Sequence, residues 1–423
     1  MVMALAAKHD WEVEQMDVDT AFLNGELQEE IYMKQPPGFV VEGLEDKVCR
    51  LRKAIYGLKQ ASRAWYTKFD ACLQRLGFIE SSADENVYIR KGTHSILIVL
   101  LYVDDMLIVG NNMHLITQLK GQLGNLFKMK DLGAVQSFLA IKVDIDMGRR
   151  TIRLSQSSYV QTLLERIQMS NCKPCSLPID PNLKLFKEDG DSVLTSESKV
   201  PYRKFMSCLL YLMACTRPDI CYAIITLSQF NDRFQEEHWS LLKRVVRYLQ
   251  GTKDKGLVYS SDGKYAELTA VVDAAFGNNV NNRSTTGCCF YMYGGAISWM
   301  TKKQGLVTIS IAKAEYVALS VGVRKLVKYA RLLEDLFGGK VSGVQVLLDS
   351  QSAMKIAGRP NFRSKTVHIP VHYHFVREKV DAGFVVLQYV ASADLVADIF
   401  TKALPFDSFS RHCTGLGLVT SST

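Results

Sequence analysis

The sequence predicts a multidomain chain that combines α/β and α+β architecture, and three observations lead there. An apolar run rich in β-branched residues, SILIVLLYVDDMLIVGN, surrounds an aspartate pair at lengths typical of buried strands. Amphipathic helical patterns follow it. The last third then alternates strand-like with helix-like segments, the signature of a compact mixed domain. With 423 residues, 48% of them hydrophobic and 22% charged, the chain has material for two or more cores.

In order along the chain, EVEQMDVDTAFLNG reads as a short strand that delivers Asp17 just before a turn into a helix. The run around the aspartate pair reads as a hairpin with Asp104 and Asp105 at its turn. Two readings of the pair stay open: polar residues closing a tight turn, or, with Asp17, oxygen ligands for two magnesium ions in a phosphoryl transfer. A membrane span is excluded, because two carboxylates would lie near its centre. Two polar stretches, Asp180 to Lys199 and Gly251 to Lys264, are candidate linkers. Between them EEHWSLLKRVVRYLQG forms a helix with Trp239, Leu242, Val245, Val246 and Leu249 in one stripe and Gly251 suited to its C-cap. Lys243, Arg244 and Arg247 fall on the opposite side, as a solvated face or a phosphate track.

Beyond Lys264, YAELTAVVDA, TTGCCFYMY and AISWMTK read as strands, the last two joined by a hairpin at Gly294 and Gly295, with LVTISI as a further strand. AEYVALSVGVRKLVKYARLLEDLFGG is a long helix by the spacing of Leu319, Val323, Leu326, Ala330, Leu333 and Phe337. Strand GVQVLLD, helix SQSAMKIAG, a helix near HYHFVREKVDAG, strand VVLQYV and a last helix ADLVADIFTKAL complete the pattern.

A formal charge of +8 and a pI near 8.8 suit an anionic partner, nucleic acid first among them. Ten cysteines are scattered without a secretory signal at MVMALAAKHDW, which predicts an intracellular protein, of cytoplasm or nucleus and not secreted. Cys172 and Cys175 have no second pair at zinc spacing and read as loop cysteines. His368, His372 and His374 lack an evident carboxylate partner and read as structural or surface residues.

Four segments together carry a resemblance. MDVDTAFLNGELQEEIYMKQPPGF, LRKAIYGLKQASRAWYTKF, LLYVDDMLIVG and FKMKDLGAVQSFLAIKV are similar, in order and spacing, to the reverse transcriptase of Ty1/copia-type retrotransposon Pol polyproteins. The similarity continues through VPYRKFMSCLLYLMACTRPDICYAI and a ribonuclease H part to DLVADIFTKALP. It implies a reverse transcriptase palm and partial fingers over 1–150, helical thumb and connection over 151–260, a ribonuclease H-like mixed α/β domain over 261–405, and a tail over 406–423. It implies RNA-directed DNA synthesis and cleavage of RNA in RNA/DNA hybrids, with RNA template, DNA primer and dNTPs as partners and no membrane. Two Mg2+ ions would serve each active site, with Mn2+ as a substitute.

The family's metal-binding aspartates match Asp17, Asp104 and Asp105. Phe22 matches the aromatic that selects deoxynucleotides and Gln60 the glutamine facing the incoming nucleotide. The ribonuclease H carboxylates match Asp273, Glu315, Asp349 and Asp398, as catalytic and metal-binding residues. Departures are Ser62 for a proline, Ala140 for a glycine, and Ala275, Lys313 and Pro370 where the family has acidic residues. Family members also carry, upstream of MALAAKHDWEVEQMDV, a basic fingers segment, so the resemblance implies an N-terminally truncated chain with weak or absent DNA synthesis. The opposing expectation is a catalytically dead relic that at most binds nucleic acid.

Overall fold

A computed structural model describes residues 1–182, 201–263, 267–278, 282–358 and 372–420. The chain divides into two compact units, one of residues Asp10–Val135 and one of Met1–His9 with Gln136–Thr423. Helix α1 (Val2–His9) belongs to the second unit, where it packs on strands described below.

The first unit contains β1 (Glu12–Val18), α2 (Ala21–Asn24), β2 (Tyr32–Lys34), β3 (Val48–Arg50), α3 (Ala61–Arg75), β4 (Ile79–Ser81), β5 (Asp84–Lys91), β6 (Ile96–Tyr102), β7 (Asp105–Gly110), α4 (Met113–Leu126) and β8 (Met129–Ala134). Its main sheet runs β4-β5-β6-β7-β1-β8, with neighbouring strands antiparallel. Met16, Val18, Met106 and Ile108 pack beneath Trp65, Phe69 and Leu73 of α3 and Ile116, Leu119 and Leu123 of α4. Since side chains alternate along a strand, Asp17 and Asp105 take the opposite face of this sheet. The helix-covered face also buries Lys120, which pairs with Glu14 and Asp131.

The second unit continues with β9 (Ser137–Phe138), β10 (Ile141–Asp146), β11 (Thr151–Ser155), α5 (Ser157–Arg166), α6 (Tyr202–Cys215), α7 (Cys221–Ser228), α8 (Glu236–Gly251) and β12 (Lys255–Ser260). Next come β13 (Thr269–Ala275), β14 (Thr285–Met292), β15 (Gly295–Lys303), α9 (Ile311–Phe337), β16 (Val344–Leu348), α10 (Gln351–Gly358), α11 (His372–Asp381), β17 (Val385–Tyr389), α12 (Phe406–Gly415) and β18 (Leu418–Thr420). One sheet has the order β18-β12-β11-β10-β9 and carries α1 on β11 and β12. The other has the order β15-β14-β13-β16-β17, antiparallel among its first three strands and parallel from β13 through β17. Helix α9 crosses β13 and β14. Three antiparallel strands, a crossing helix and two parallel strands make this the ribonuclease H-like mixed α/β arrangement.

Several expectations need correction. The stretch Gly251 to Lys264 is no linker: it holds β12, paired on both sides by β11 and β18. Most of the other candidate linker lies outside the described residues. Residues 406–420 are not a tail but α12 and β18, the latter completing that sheet. LVTISI is not a strand, despite its alternating pattern. Ser310 caps α9 by accepting from the Lys313 N–H, so helix capping claims the segment and leaves Val307 and Ile309 exposed. ADLVADIFTKAL is not one helix but two short 3-10 turns, Ser392–Asp394 and Val396–Phe400. Gly251 ends α8 as its last helical residue, with Thr252 as the C-cap. The β14–β15 turn sits one residue earlier than expected. Met292 pairs with Gly295, and Tyr293 and Gly294 take φ of 49° and 89°, the doubly left-handed form that matches strand twist.

The basic side of α8 is partly structural. Arg244 and Arg247 donate to the carbonyls of Leu177 and Lys173, holding the segment that contains Cys172 and Cys175. All ten cysteines are free. Beneath that segment the guanidinium of fully buried Arg217 forks onto Asp219, whose other donor is the Tyr248 hydroxyl at 2.6 Å. A buried charge pair of this kind is tolerated only because every arm is hydrogen-bonded. Ala140, where the family has glycine, has φ of 55°, and its neighbour Leu139 has 50°. A Cβ in that left-handed region is strained, which is the cost of the substitution.

Candidate carboxylate sites

In the first unit, register brings two of the three expected aspartates together. Asp17 of β1 lies directly opposite Asp105 of β7, so their side chains share a face. Asp104 sits in the turn between β6 and β7. That turn is tight: Tyr102 pairs with Asp105, and Val103 is forced to φ 57°, a strained conformation for a β-branched residue. It is held from both sides, by the Trp65 indole N–H on the Val103 carbonyl at 2.9 Å and by the Val18 N–H on the Asp104 carbonyl at 2.9 Å.

Each of these carboxylates already has an environment of its own. Tyr56 donates to Asp104 Oδ2 at 2.8 Å, while Asp104 Oδ1 is buried without a hydrogen-bond partner. Burial, then Asp17 and Asp104, hold the Asp105 carboxyl above its ordinary pKa. Lys130 Nζ stands 4.0 Å from Asp17 and 3.0 Å from Asp19. Phe22 packs on the core and meets the Tyr56 ring at 4.7 Å between centroids, so it is a core aromatic beside the aspartates. Gln60 caps α3 and opens onto a groove of about 800 Å³ shared with Glu26, Arg63 and Lys68, whose lining includes none of the three aspartates. Tyr56 and Lys130 were not singled out in the sequence, where an exposed tyrosine and a strand lysine carry no signal.

In the second unit the convergence is closer. Asp273 is buried on β13, Glu315 is buried on the second turn of α9, and Asp349 follows the end of β16. Ligand oxygens of these three lie within 4.8 Å of one another, and among the described residues no other group of three acidic, histidine or cysteine side chains does so. Two glycines make the approach possible. A Cβ on Gly322 would lie 2.7 Å from Val272 Cγ2, so its absence lets α9 settle on β13. Gly287 pairs with Asp273 across the sheet, and a Cβ there would lie 2.6 Å from Thr401 Cγ2 and 3.0 Å from the Ala397 carbonyl. The 396–401 segment therefore lies against β14 beside Asp273.

That segment delivers Asp398 and Thr401. The Thr401 hydroxyl donates to Asp273 Oδ2, and the Ser392 hydroxyl donates to Asp349 Oδ2. Asp398 is buried but outside the group of three; Lys402 Nζ is 2.8 Å from its Oδ2, and its Oδ1 has no hydrogen-bond partner. Crowding of like charges out of water shows in the acids themselves. Burial, then Asp398, pushes Asp273 up to about 7; burial, then Asp273 and Asp349, pushes Glu315 up to about 9. Three hard oxygen donors gathered this closely, two of them buried, fit a divalent cation.

Of the sequence-expected residues, the structure thus assembles Asp273, Glu315 and Asp349, sets Asp398 beside them, and pairs Asp17 with Asp105 near Asp104. Thr401, Gly287 and Gly322 were missed. Thr401 and Gly287 lie within segments whose motif value was recognised, but nothing in the pattern marks a hydroxyl or a missing side chain. Of the histidines, His368 lies outside the described residues, as does the side chain of His372, and His374 is exposed on α11.

The putative transposon Ty5-1 protein of Saccharomyces cerevisiae is 32% identical to this chain over 313 residues, which is 74% of the chain and all of that protein. The chain belongs to the retrotransposon Pol polyproteins of Ty1/copia type. Residues 1–181 match the reverse transcriptase (RNA-dependent DNA polymerase) family. The Pol polyprotein from transposon TNT 1-94 of Nicotiana tabacum is 40% identical over 96% of the chain, and that from transposon RE2 of Arabidopsis thaliana 38% over 99%. This Pol chain spans about a third of the length of those two relatives, 31% and 28%. Among solved structures, a foamy viral protease-reverse transcriptase in complex with RNA/DNA hybrid is similar at 12% identity and a TM-score of 0.45, over 90% of this chain and 44% of that one. The ribonuclease H1 of Halobacterium salinarum is similar at 16% identity and 0.23, over 32% of this chain and 93% of that one.

Proposed function

We propose that the second unit cuts the RNA strand of RNA/DNA hybrids, as the ribonuclease H of a retrotransposon reverse transcriptase. The observation that carries this reading is the convergence of Asp273, Glu315 and Asp349. Divalent ions held there, Mg2+ by the hardness of the donors, would make a bound water nucleophilic near neutral pH and offset charge on the phosphate. The protein's own residues do the rest. Burial of Asp273 and Glu315 disfavours their charged forms, so that a bound cation would relieve the cost of ionising them. Thr401 restrains the rotation of Asp273, and Ser392 that of Asp349, through their hydroxyl hydrogen bonds. Asp398 supplies a fourth carboxylate at the rim.

A second reading concerns the first unit, and the family match over residues 1–181 favours it: RNA-directed DNA synthesis from template, primer and dNTPs. Asp17, Asp104 and Asp105 would hold its Mg2+ ions, Phe22 would crowd the sugar of the incoming nucleotide, and Gln60 would contact it. This site asks for rearrangement first, because Tyr56 and Lys130 occupy two of the three carboxylates. For the whole chain the test is cleavage of end-labelled RNA in an RNA/DNA hybrid with and without Mg2+, with Asp349→Asn as control. Metal-dependent cutting lost in the variant is expected. Absence of cutting by folded protein would leave a relic that retains the geometry without the reaction.

A further inference from the structure

Among the described residues, Asp398 and Lys402 form a carboxylate–cation pair beside the three-carboxylate group. Asp398 is 7% exposed, and its Oδ1 has no hydrogen-bond partner. A carboxylate so placed requires a cation, since an unpaired buried charge is far too costly to persist. Lys402 provides one: its ammonium lies 2.8 Å from Oδ2, and its charge is also felt by Asp273 and Asp349. The two residues are tied locally, for the Lys402 N–H donates to the Asp398 carbonyl at 3.2 Å. The lysine side chain is nonetheless about half exposed, at 48%, whereas that of Asp398 is 9% exposed. A lysine is a compact charge on a flexible stem, so the ammonium can leave for solvent while the carboxylate stays. Thr401, next to it, keeps Asp273 in place meanwhile.

Resting on the two-metal reading above, we propose that Lys402 is a resident counter-ion that holds Asp398 until a second divalent cation displaces it. The first cation then loads on Asp273, Glu315 and Asp349 alone, and the second competes with an ammonium for Asp398. Lys402 is in this role a positioning residue, acting through Asp398 and not on the reacting atoms. It sets a threshold: at low metal the site holds one ion, and the fourth carboxylate stays neutralised without folding strain.

The experiment is calorimetric titration of the full chain with Mn2+, in an Asp105→Asn background that silences the first unit's aspartates. Two binding steps are expected, both impaired by Asp349→Asn. Lys402→Gln should tighten the second step on the order of tenfold, because a positive charge a few ångströms from the incoming ion is gone, and leave the first nearly unchanged. Lys402→Met, uncharged and of similar length, should repeat this, and Lys402→Arg should titrate like the parent. Circular dichroism confirms folding of each variant. An unchanged or weakened second step in both uncharged variants overturns the inference alone, as does an arginine variant that behaves like them. Mn2+ uptake by the parent that Asp349→Asn does not reduce overturns the metal-site reading, and this inference with it.

Discussion

The two sets of carboxylates in this chain differ in how they are built, one on facing strands and a hairpin turn and the other on two strands and a helix, and only the second brings three ligand oxygens together. In the second unit, three acids from β13, α9 and the end of β16 converge where Gly322 lets α9 settle on Val272 of β13, and burial raises Asp273 and Glu315. In the first unit, Asp17 and Asp105 are opposite partners in a sheet, but Asp104 hangs from a strained turn and is engaged by Tyr56, while Asp17 stands near Lys130. Convergence by packing of three elements makes a preformed carboxylate cluster. Convergence by a hairpin turn leaves the side chains free to take local partners.

The largest effect that sharpens this contrast is on turnover. Asp349→Asn should lower Mg2+-dependent hybrid cleavage about 10²- to 10³-fold, as measured on end-labelled RNA, without loss of the fold. The next is on stability. Asp273 and Glu315 have folded-state values of about 7 and about 9, above their ordinary 3.8 and 4.5. The metal-free fold therefore holds protons that the unfolded chain releases. That contribution is complete below the ordinary values and is lost as pH rises through about 7 and then about 9. Thermal melts in chelator should show Tm falling from about pH 5 to about pH 9, with Glu315→Gln flattening the alkaline part and Mg2+ opposing the fall.

Much of this was legible in the sequence, and what was not has a physical reason. Asp17, Asp104 and Asp105 stand out as acids at the ends of apolar segments, whereas Asp273, Glu315, Asp349 and Asp398 could be named only because the motif order resembles a family. Long helices such as α9 were readable from their 3.6-residue period. LVTISI failed because alternation also fits a loop that ends in a serine cap. The last helix failed because the spacing of ADLVADIFTKAL fits a helix equally well, while Thr401 and Asp398 are drawn toward β13 by tertiary contacts that no local pattern encodes. Gly287 was unreadable for the same reason: its value lies in what stands opposite.

Smaller effects probe the first unit. Tyr56→Phe removes the donor on Asp104 and should raise Mn2+ affinity there a few-fold, read by titration in an Asp349→Asn background. Should affinity fall instead, Tyr56 positions the carboxylate and does not occupy it. Val103→Gly relieves the left-handed backbone of the turn at an exposed position, and urea unfolding should show a gain of about 1 kcal/mol at most, because the glycine's added chain entropy offsets part of the relief.

The most direct test of the contrast is anomalous diffraction from crystals soaked in Mn2+ without nucleic acid. The expected map has a peak among Asp273, Glu315 and Asp349 at bonding distance to all three and a weaker peak or none between Asp17 and Asp105. A strong peak at Asp17 and Asp105 with nothing at the three-carboxylate group would contradict it.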